Sequence, residues 1–297
     1  MKSRKASTCP RCGALNGAGF DRCVRCGQGL SPSAQFRERL GTYVDGDALW
    51  ASKTIIMLTV IVFAAQVYIG QIRSGQNALQ ALMRPTTIDA VRFGALHSVI
   101  VIAEPWRLLS AVFVHFGTWH LLGNLLFLTW LARAAEPAIG SARFVLAYVC
   151  TGIAGFVVST GYNIFVEGFG GGLTAGASGA VFGITGMVAG MLYRQKNPQW
   201  KGFAVQAVLF QLLIGFGINQ AQVGIMINNL AHLGGLVVGV AFGFAYATRQ
   251  RPSRKPTRSE SWVNIGALIG LMACVISLVL AQRSPIWREL ETRVGGS

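Results

Sequence analysis

A serine between small residues, in Gly176-Ala177-Ser178-Gly179, is the first candidate for chemistry in this chain. The surrounding stretch, TAGASGAVFG at 174–183, becomes apolar directly after the serine. Small residues let helices approach closely in a membrane, so Ser178 could be only a packing hydroxyl. The flanking glycines would equally leave room for a substrate backbone beside a nucleophile. This window alone leaves both interpretations open.

Polar residues enter apolar segments at two further points. The stretch FVHFGTWHLLGNLLFL contains His115, His120 and Asn124, the last two being four residues apart and therefore on one helical face. The stretch NNLAHLGGLVVGVAFG begins with two asparagines and contains His232. Charged groups at mid-membrane cost about 3 kcal/mol on insertion scales. The absence of Asp, Glu, Lys and Arg from the middle of the apolar segments makes these polar residues informative.

Glycine spacing indicates how Ser178 and His232 could meet. Along the last segment His232 shares a helical face with glycines at 235, 239 and 243, which is two overlapping G-x-x-x-G steps. The segment after Ser178 has its own glycines, at 179, 183, 186 and 190. Pairing of these two glycine-rich helices would bring the serine near the histidine. For His232 taken alone, a hydrogen bond between helices without chemistry is the alternative.

A serine, a histidine and hydrogen-bond donors together permit acyl transfer. Most serine hydrolases add an aspartate that orients the histidine. Here the nearby acidic residues Glu104 and Glu167 fall in predicted loops, so a Ser–His dyad is expected. Backbone N–H groups at the helix start, the Asn124 amide and the His120 ring are candidate donors to an oxyanion.

The composition places these residues in a membrane protein. Of 297 residues, 52% are hydrophobic and 12% charged, and the mean hydropathy is +0.48. Soluble domains carry about 25% charged residues, so the composition predicts an all-α polytopic membrane protein. Seven apolar segments are predicted, at 54–72, 120–132, 144–162, 178–193, 203–218, 230–247 and 262–281.

The net charge of +15 reflects membrane orientation and does not indicate nucleic-acid binding. If the N-terminus is cytoplasmic, 19 of the 26 Lys and Arg residues fall on the cytoplasmic side and 7 on the other. The positive-inside rule therefore predicts a cytoplasmic N-terminus and an outer C-terminus. Segments two, four and six then run inward, and all three polar clusters lie at their outer ends.

Two Cys-x-x-Cys pairs near the N-terminus, CPRCG and CVRCG, are each followed by glycine. This is the spacing of a zinc knuckle, in which the glycine permits a tight turn around the thiolates. The sequence predicts one structural zinc ion in a zinc-ribbon-like module. Its ligands would be Cys9, Cys12, Cys23 and Cys26. Two disulfides or a redox pair are the alternatives, which a reducing cytosol disfavours.

Taken together, residues 54–247 resemble the rhomboid family of intramembrane serine proteases. The resemblance is carried by five motifs, namely Trp106-Arg107, H-x-x-x-x-H-x-x-x-N from His115 to Asn124, Glu136-x-x-x-Gly140, G-x-S-G from Gly176 to Gly179, and A-H-x-x-G-x-x-x-G from Ala231 to Gly239. Two positions depart from the usual pattern. Ala132 stands where a glycine often precedes the Glu136 motif, and Asn228 stands where many members have aspartate.

The resemblance implies a six-helix core, a seventh helix outside it, and a water-filled cavity open to the outside. It implies that Ser178 is the nucleophile and His232 the base, without a catalytic cofactor. Supporting positions are expected at the oxyanion hole and around it, namely Asn124, His120, His115, Gly176 and Gly179. Structural positions are expected at Trp106, Arg107 and Glu136.

The sequence therefore predicts an intramembrane endopeptidase that cuts transmembrane substrates near the outer face of a membrane, most simply the bacterial cytoplasmic membrane. Its partners would be transmembrane proteins and the lipid bilayer, with no nucleic acid. The alternatives are a non-proteolytic rhomboid-like binder of transmembrane clients and, less favoured, a transporter. The expected parts are a zinc module (1–30), a linker (31–52), the protease core (53–248), a basic loop (249–261), the seventh helix (262–281) and an outer tail (282–297).

Overall fold

The structure, a computed structural model, describes residues 7–9, 12–17, 23–26, 30, 49–209, 228–247 and 258–295. The chain divides into two compact units, Met1–Trp50 and Ala51–Ser297. In the first unit, β1 (Ser7–Thr8) and β2 (Leu15–Asn16) form a two-stranded antiparallel hairpin. The chain between them turns at Gly13, whose φ of +68° suits a residue without a Cβ.

The described part of the second unit is built from helices. In chain order they are α1 (Trp50–Ser74), α2 (Ala78–Met83), α3 (Thr87–Phe93), α4 (Ser98–Ala103), α5 (Arg107–Ser110), α6 (Thr118–Ile139), α7 (Ser141–Phe165), α8 (Ser178–Arg194), α9 (Asn229–Tyr246), α10 (Arg258–Arg283) and α11 (Ile286–Gly295). A short 3-10 helix, Ala111–Phe113, follows α5 directly. Residues 200–209 are also helical.

Within the described residues, four helical segments are long and apolar enough to cross a membrane, namely α1, α7, α9 and the stretch Ser261–Arg293, which includes most of α10 and α11. The segment Arg107–Phe113 and α6 pass the same test together, with a bend of 93° between them. Large apolar side chains on the outside of the bundle, such as Leu233, Val237 and Leu268, are more than half exposed, as lipid contact requires. The protein is an all-α polytopic membrane protein.

Six of the seven predicted apolar segments coincide with a described helix. The second is longer than predicted, because α6 continues past 132 to Ile139 and includes Glu136 and Pro137 in its last turns. The fifth is helical up to residue 209, and its remainder lies outside the described residues. Most of the predicted linker at 31–52 and most of the predicted basic loop at 249–261 also lie outside the described residues.

The helix that begins at Ser178 lies at the centre of the second unit. Most residues of α8 from Gly179 to Met191 are buried, and α8 packs against α6, α7 and α9. At 17 residues, α8 is at the short end of the range of about 17–25 residues for a membrane-spanning helix.

Candidate active site

Glycines allow α8 and α9 to pack backbone against backbone. A Cβ on Gly235 would overlap the carbonyl oxygen of Gly179, and a Cβ on Gly239 would overlap that of Gly183. At Gly190 an added Cβ would come within 2.8 Å of a carbonyl oxygen of α9. The close approach predicted from the glycine spacing is therefore present, with the glycines of each helix facing the backbone of the other.

This packing places Ser178 and His232 side by side. Ser178 is the first residue of α8, and His232 lies in the first turn of α9. The Oγ atom of Ser178 and the Nε2 atom of His232 are 2.9 Å apart, at hydrogen-bonding distance. Both residues are partly buried.

The His232 ring stacks on an aromatic residue, Phe182, that was not predicted from the sequence as part of the site. The ring of Phe182 stacks on the imidazole, with centroids 4.1 Å apart and 14° between the planes. Phe182 lies four residues after Ser178, on the same face of α8. The spacing from Ser178 to Phe182 predicts that the two side chains share a helical face. It does not predict that this face lies against the His232 ring.

Gly176 brings His120 against the loop before Ser178. Its φ is +125°, a backbone conformation that favours glycine, and a Cβ there would lie 2.7 Å from Cε1 of His120. The N–H of Gly176 donates to the carbonyl of Ala111 at 2.8 Å, which attaches the loop to the start of the 3-10 helix. Gly176 is thus required both for its backbone conformation and for its lack of a side chain.

The two histidines before Asn124 have partners that indicate their tautomers. For His115, which is fully buried, Nδ1 is 3.2 Å from the carbonyl of Phe113, and Nε2 is 3.5 Å from the N–H of Ala177. Its proton is therefore on Nδ1. For His120, Nδ1 is 3.5 Å from the N–H of Phe116, so the proton is on Nε2, the nitrogen that faces Gly176.

The side chain of Asn124 hydrogen bonds within its own helix. Its Nδ2 donates to the carbonyl of His120 at 2.8 Å, one turn earlier in α6. The residue is 8% exposed, so the amide is almost completely buried next to the His120 turn. The amide group carries a second N–H. An oxyanion role for Asn124 stays a prediction.

Asn228 connects three segments around the candidate dyad. Its Oδ1 accepts from the N–H of Ala231 at 2.9 Å, which caps the N-terminus of α9. Its Nδ2 donates to Ser159 Oγ in α7 at 3.0 Å and to Thr174 Oγ1 in the Ser178 loop at 3.2 Å. An asparagine directly before a helix predicts the N-terminal cap. The sequence does not predict that Ser159 and Thr174 accept hydrogen bonds from the same side chain.

Glu136, one of the predicted structural positions, bonds to the start of α1. Glu136 is fully buried, and its carboxylate accepts from the N–H groups of Ala51 and Ser52 at 2.8 and 3.0 Å and from Ser141 Oγ at 2.6 Å. It thereby caps the start of α1, where unpaired N–H groups favour a negative charge. Trp106 directly precedes α5.

Arg107 is also fully buried and organises the loop before α5. Its guanidinium donates to Glu104 Oε2 at 2.6 Å, to the carbonyls of Val91 and Ala95 at 2.6 and 3.0 Å, and to Ser284 Oγ at 3.3 Å. A buried charge is tolerated only when it is paired and hydrogen-bonded in this way. The contact with Ser284 links this loop to the end of α10.

The four predicted thiol ligands converge in the first unit. Their sulfur atoms all lie within 4.8 Å of one another, with Cys9 and Cys26 at 3.6 Å and Cys12 and Cys23 at 3.7 Å. A disulfide needs about 2.05 Å. A tetrahedron of Zn–S bonds of about 2.3 Å has edges of about 3.8 Å, so the cluster fits a metal ion.

Hydrogen bonds around the cysteines favour the thiolate form. They lower the pKa of Cys23 to about 6, the N–H of Cys26 contributing most. The side chain of Asn16 accepts from the N–H of Val24 at 2.9 Å, which ties the hairpin to the second cysteine pair. A deprotonated thiol is the form that binds a metal. The four cysteines could therefore hold a metal ion.

Known proteins match the part of the chain that contains the candidate site. The family model for the Rhomboid domain matches residues 103–249, which include every motif residue from Arg107 to His232. RHOMBOID-like protein 1 of Arabidopsis thaliana is 30% identical over 220 residues, which are 67% of this chain and 54% of that protein. The Rhomboid protease GluP of Bacillus subtilis is 32% identical over 155 residues, 52% of this chain and 28% of its own length. The Rhomboid protease GlpG of Salmonella paratyphi A is 31% identical over 143 residues, 48% of each chain.

Through this domain the chain belongs to the rhomboid family, whose members are typically serine proteases of the membrane. The chain spans only about a quarter to about half of the lengths of these three relatives. The cysteine cluster lies outside the matched domain.

Proposed function

We propose that this protein is an intramembrane serine endopeptidase in which Ser178 is the nucleophile and His232 the general base. The observation that carries the proposal is the 2.9 Å separation of Ser178 Oγ and His232 Nε2 within the Rhomboid domain. Nucleophile and base must lie within hydrogen-bond reach for a proton to pass between them. The relatives named as rhomboid proteases support the same activity.

The reaction would proceed in two halves. Ser178 Oγ attacks the scissile carbonyl as its proton passes to His232 Nε2, and His232 then gives that proton to the leaving amine as the peptide bond breaks. A water molecule next attacks the acyl-enzyme, giving its proton to His232, and the ester bond to Ser178 breaks with return of the proton to Oγ. Within the described residues, no carboxylate hydrogen bonds to His232. We propose that the stacked Phe182 ring orients the imidazole instead.

Donors around Ser178 would stabilise the oxyanion. The N–H groups of Ser178 and Gly179 belong to the first turn of α8, where they have no partner within the helix. The Nε2–H of His120 faces the adjacent loop, and the second N–H of Asn124 lies one helical turn further. Loss of one such donor typically lowers the rate by about 10²–10³.

The substrates would be transmembrane segments cut near the outer membrane face. The candidate dyad lies in the first turn of two helices, and the lysine and arginine distribution assigns that end to the outside. We place the N-terminus in the cytoplasm and the C-terminus outside, in a membrane such as the bacterial cytoplasmic membrane. The cysteine cluster would hold one structural zinc ion in the cytosol, without a part in the cleavage reaction.

The dyad is tested with a fluorophosphonate serine probe and a generic transmembrane substrate in detergent. We expect wild type to be labelled and to cleave, Ser178→Ala to do neither, and His232→Ala to lose cleavage. Ser277→Ala is the matched control, since Ser277 lies in α10, outside the proposed machinery. Activity near wild type in either dyad variant, or an unlabelled wild-type protein, would contradict the assignment.

A further inference from the structure

The end of α10 is attached to the loop that joins α1 to α5, residues 75–106. Gln282 and Arg92 exchange two hydrogen bonds, from Arg92 Nε to Gln282 Oε1 at 2.9 Å and from Gln282 Nε2 to the Arg92 carbonyl at 3.3 Å. Ser284, which is 3% exposed, accepts from the buried guanidinium of Arg107 and from the N–H of Ile286 at the start of α11. One hydroxyl therefore bonds both to α11 and to the arginine that organises the loop.

Trp287 in α11 is the centre of a second attachment. Its indole is 5% exposed, and the guanidinium carbons of Arg92, Arg73 and Arg288 lie 4.4, 5.1 and 5.3 Å from the ring. Glu291, one turn later, forms an ion pair with Arg73 at the end of α1. Arginine over an indole is a favourable contact in which the aromatic face meets the positive charge.

A helix that only anchors the chain in the membrane would not need the polar contacts made by Gln282, Ser284 and Glu291. One face of α10 points outward, with Leu268 and Ile269 each 60% exposed, and the opposite face is buried at Ala267, Cys274 and Ser277. At the far end Ala281, Ser284 and Trp287 are also buried, at 0%, 3% and 5% exposed, and here the burial is accompanied by the polar contacts described above. We name Gln282, Ser284, Trp287 and Glu291 the C-terminal clasp.

The α1–α5 loop is hydrogen-bonded both to the clasp and to the segment that precedes Ser178. Arg107 bonds to the carbonyl of Ala95, and the next residue, Leu96, pairs with Thr174 through two backbone hydrogen bonds of 2.9 and 2.7 Å. Thr174 lies four residues before Ser178. The α1–α5 loop thus lies between the clasp and the segment that carries the serine.

We infer that the C-terminal clasp is a positioning element for Ser178, acting through the α1–α5 loop and its pairing with Thr174. The inference rests on the proposed function. Small displacements far from the reacting atoms cost large factors in rate, because the attacking oxygen must stay aligned with the carbonyl. Loosening the clasp should therefore lower kcat while leaving KM nearly unchanged.

The test uses the full chain with Trp287→Ala, Trp287→Phe and the double variant Gln282→Leu/Ser284→Ala. Trp262→Ala is the matched control, since Trp262 lies at the other end of α10 and is 64% exposed. We expect kcat on a transmembrane substrate in proteoliposomes to fall about tenfold in Trp287→Ala and in the double variant, with KM within about twofold. Trp287→Phe should regain most of the loss, and the control should match wild type.

Hydrogen exchange of the amides at 89–96 gives a readout that is independent of cleavage, and it should be faster in the clasp variants. Exchange at the wild-type rate would show that the clasp does not hold the loop. Faster exchange with unchanged kcat would show that the loop does not position Ser178. Either result overturns the inference. A wild-type protein that neither cleaves nor reacts with the serine probe would overturn the proposed function instead.

Discussion

Gly239 in α9 lies directly on the carbonyl group of Gly183 in α8, with no space for a Cβ between the two backbones. The same relation recurs one turn earlier, at Gly235 and Gly179, next to the Ser178–His232 pair. The closeness of the two helices therefore depends on glycine at defined positions. It makes a 2.9 Å contact possible between side chains that lie 54 residues apart in sequence.

Gly239→Ala should separate the two helices and weaken the site. The new methyl group would overlap backbone atoms, which cannot move aside as a flexible side chain can. We expect cleavage to fall at least about tenfold and the melting temperature to drop. Gly161→Ala is the control, because nothing lies within 4 Å of a Cβ at that position in α7. Equal melting temperatures and rates for both variants would contradict this account of the packing.

Gly176→Ala should impair cleavage through the nucleophile loop. The substitution forces alanine to a φ of +125° and pushes its Cβ against the His120 ring. We expect labelling by the fluorophosphonate probe to slow by about tenfold or more, because both the loop and the candidate oxyanion donor move. Gly172→Ala, where a Cβ meets open space, should label at the wild-type rate. A Gly176→Ala protein that labels as fast as Gly172→Ala would refute the prediction.

Asn228→Ala should destabilise the junction of α7, α9 and the Ser178 loop. It removes the cap on α9, typically worth about 1 kcal/mol, and two side-chain hydrogen bonds. Asn228→Asp should be much milder, since a carboxylate still caps the helix and accepts from the hydroxyls of Ser159 and Thr174. Melting temperature and kcat, measured for both variants, check this. If the two variants behave alike, the hydrogen bonds of Asn228 are not what holds the junction.

The cysteine module should contain one zinc ion per chain. Metal analysis of the purified protein should find stoichiometric zinc, and Cys9→Ser should lose it because one thiolate of four is missing. Cys274→Ser, a change to a buried cysteine outside the cluster, should retain the metal. Cleavage by a folded Cys9→Ser protein should stay within about twofold of wild type, because the metal is assigned no catalytic step. Wild-type protein without zinc would contradict the first half of this prediction, and abolished cleavage would contradict the second.

The cut should fall near the outer boundary of a single-span substrate, after a small residue and before a helix-weakening one. A spanning helix pairs all its backbone carbonyls internally, so a dyad can reach one only where glycine or proline weakens the helix. The small residues Gly176, Ala177 and Gly179 indicate a close approach of the substrate backbone. Mass spectrometry locates the cut, and leucine then replaces the weak positions. Cleavage that is indifferent to leucine, or a cut near the cytoplasmic end, would disprove this account.

Much of the architecture followed from local patterns in the sequence. Apolar segments of near-membrane length predicted the long helices, because hydropathy reflects the solvent that surrounds each span. The Cys-x-x-Cys spacing predicted the thiol cluster, since four ligands in two short turns can meet without help from the rest of the fold. The glycine spacing indicated how Ser178 and His232 could meet, because a stripe of glycines marks a face where another backbone approaches, although it does not name the helix that approaches.

Other relationships were decided only by the tertiary structure. The resemblance marks Glu136 and Arg107 as structural positions, but it does not say that one caps α1 and the other bonds to Ser284. Asn124 bonds back to its own helix, and Phe182 rather than an acid lies on the His232 ring. Periodicity states which face of a helix is special but not which distant segment covers it. That choice depends on how all the helices pack at once, so it is absent from any single stretch of the chain.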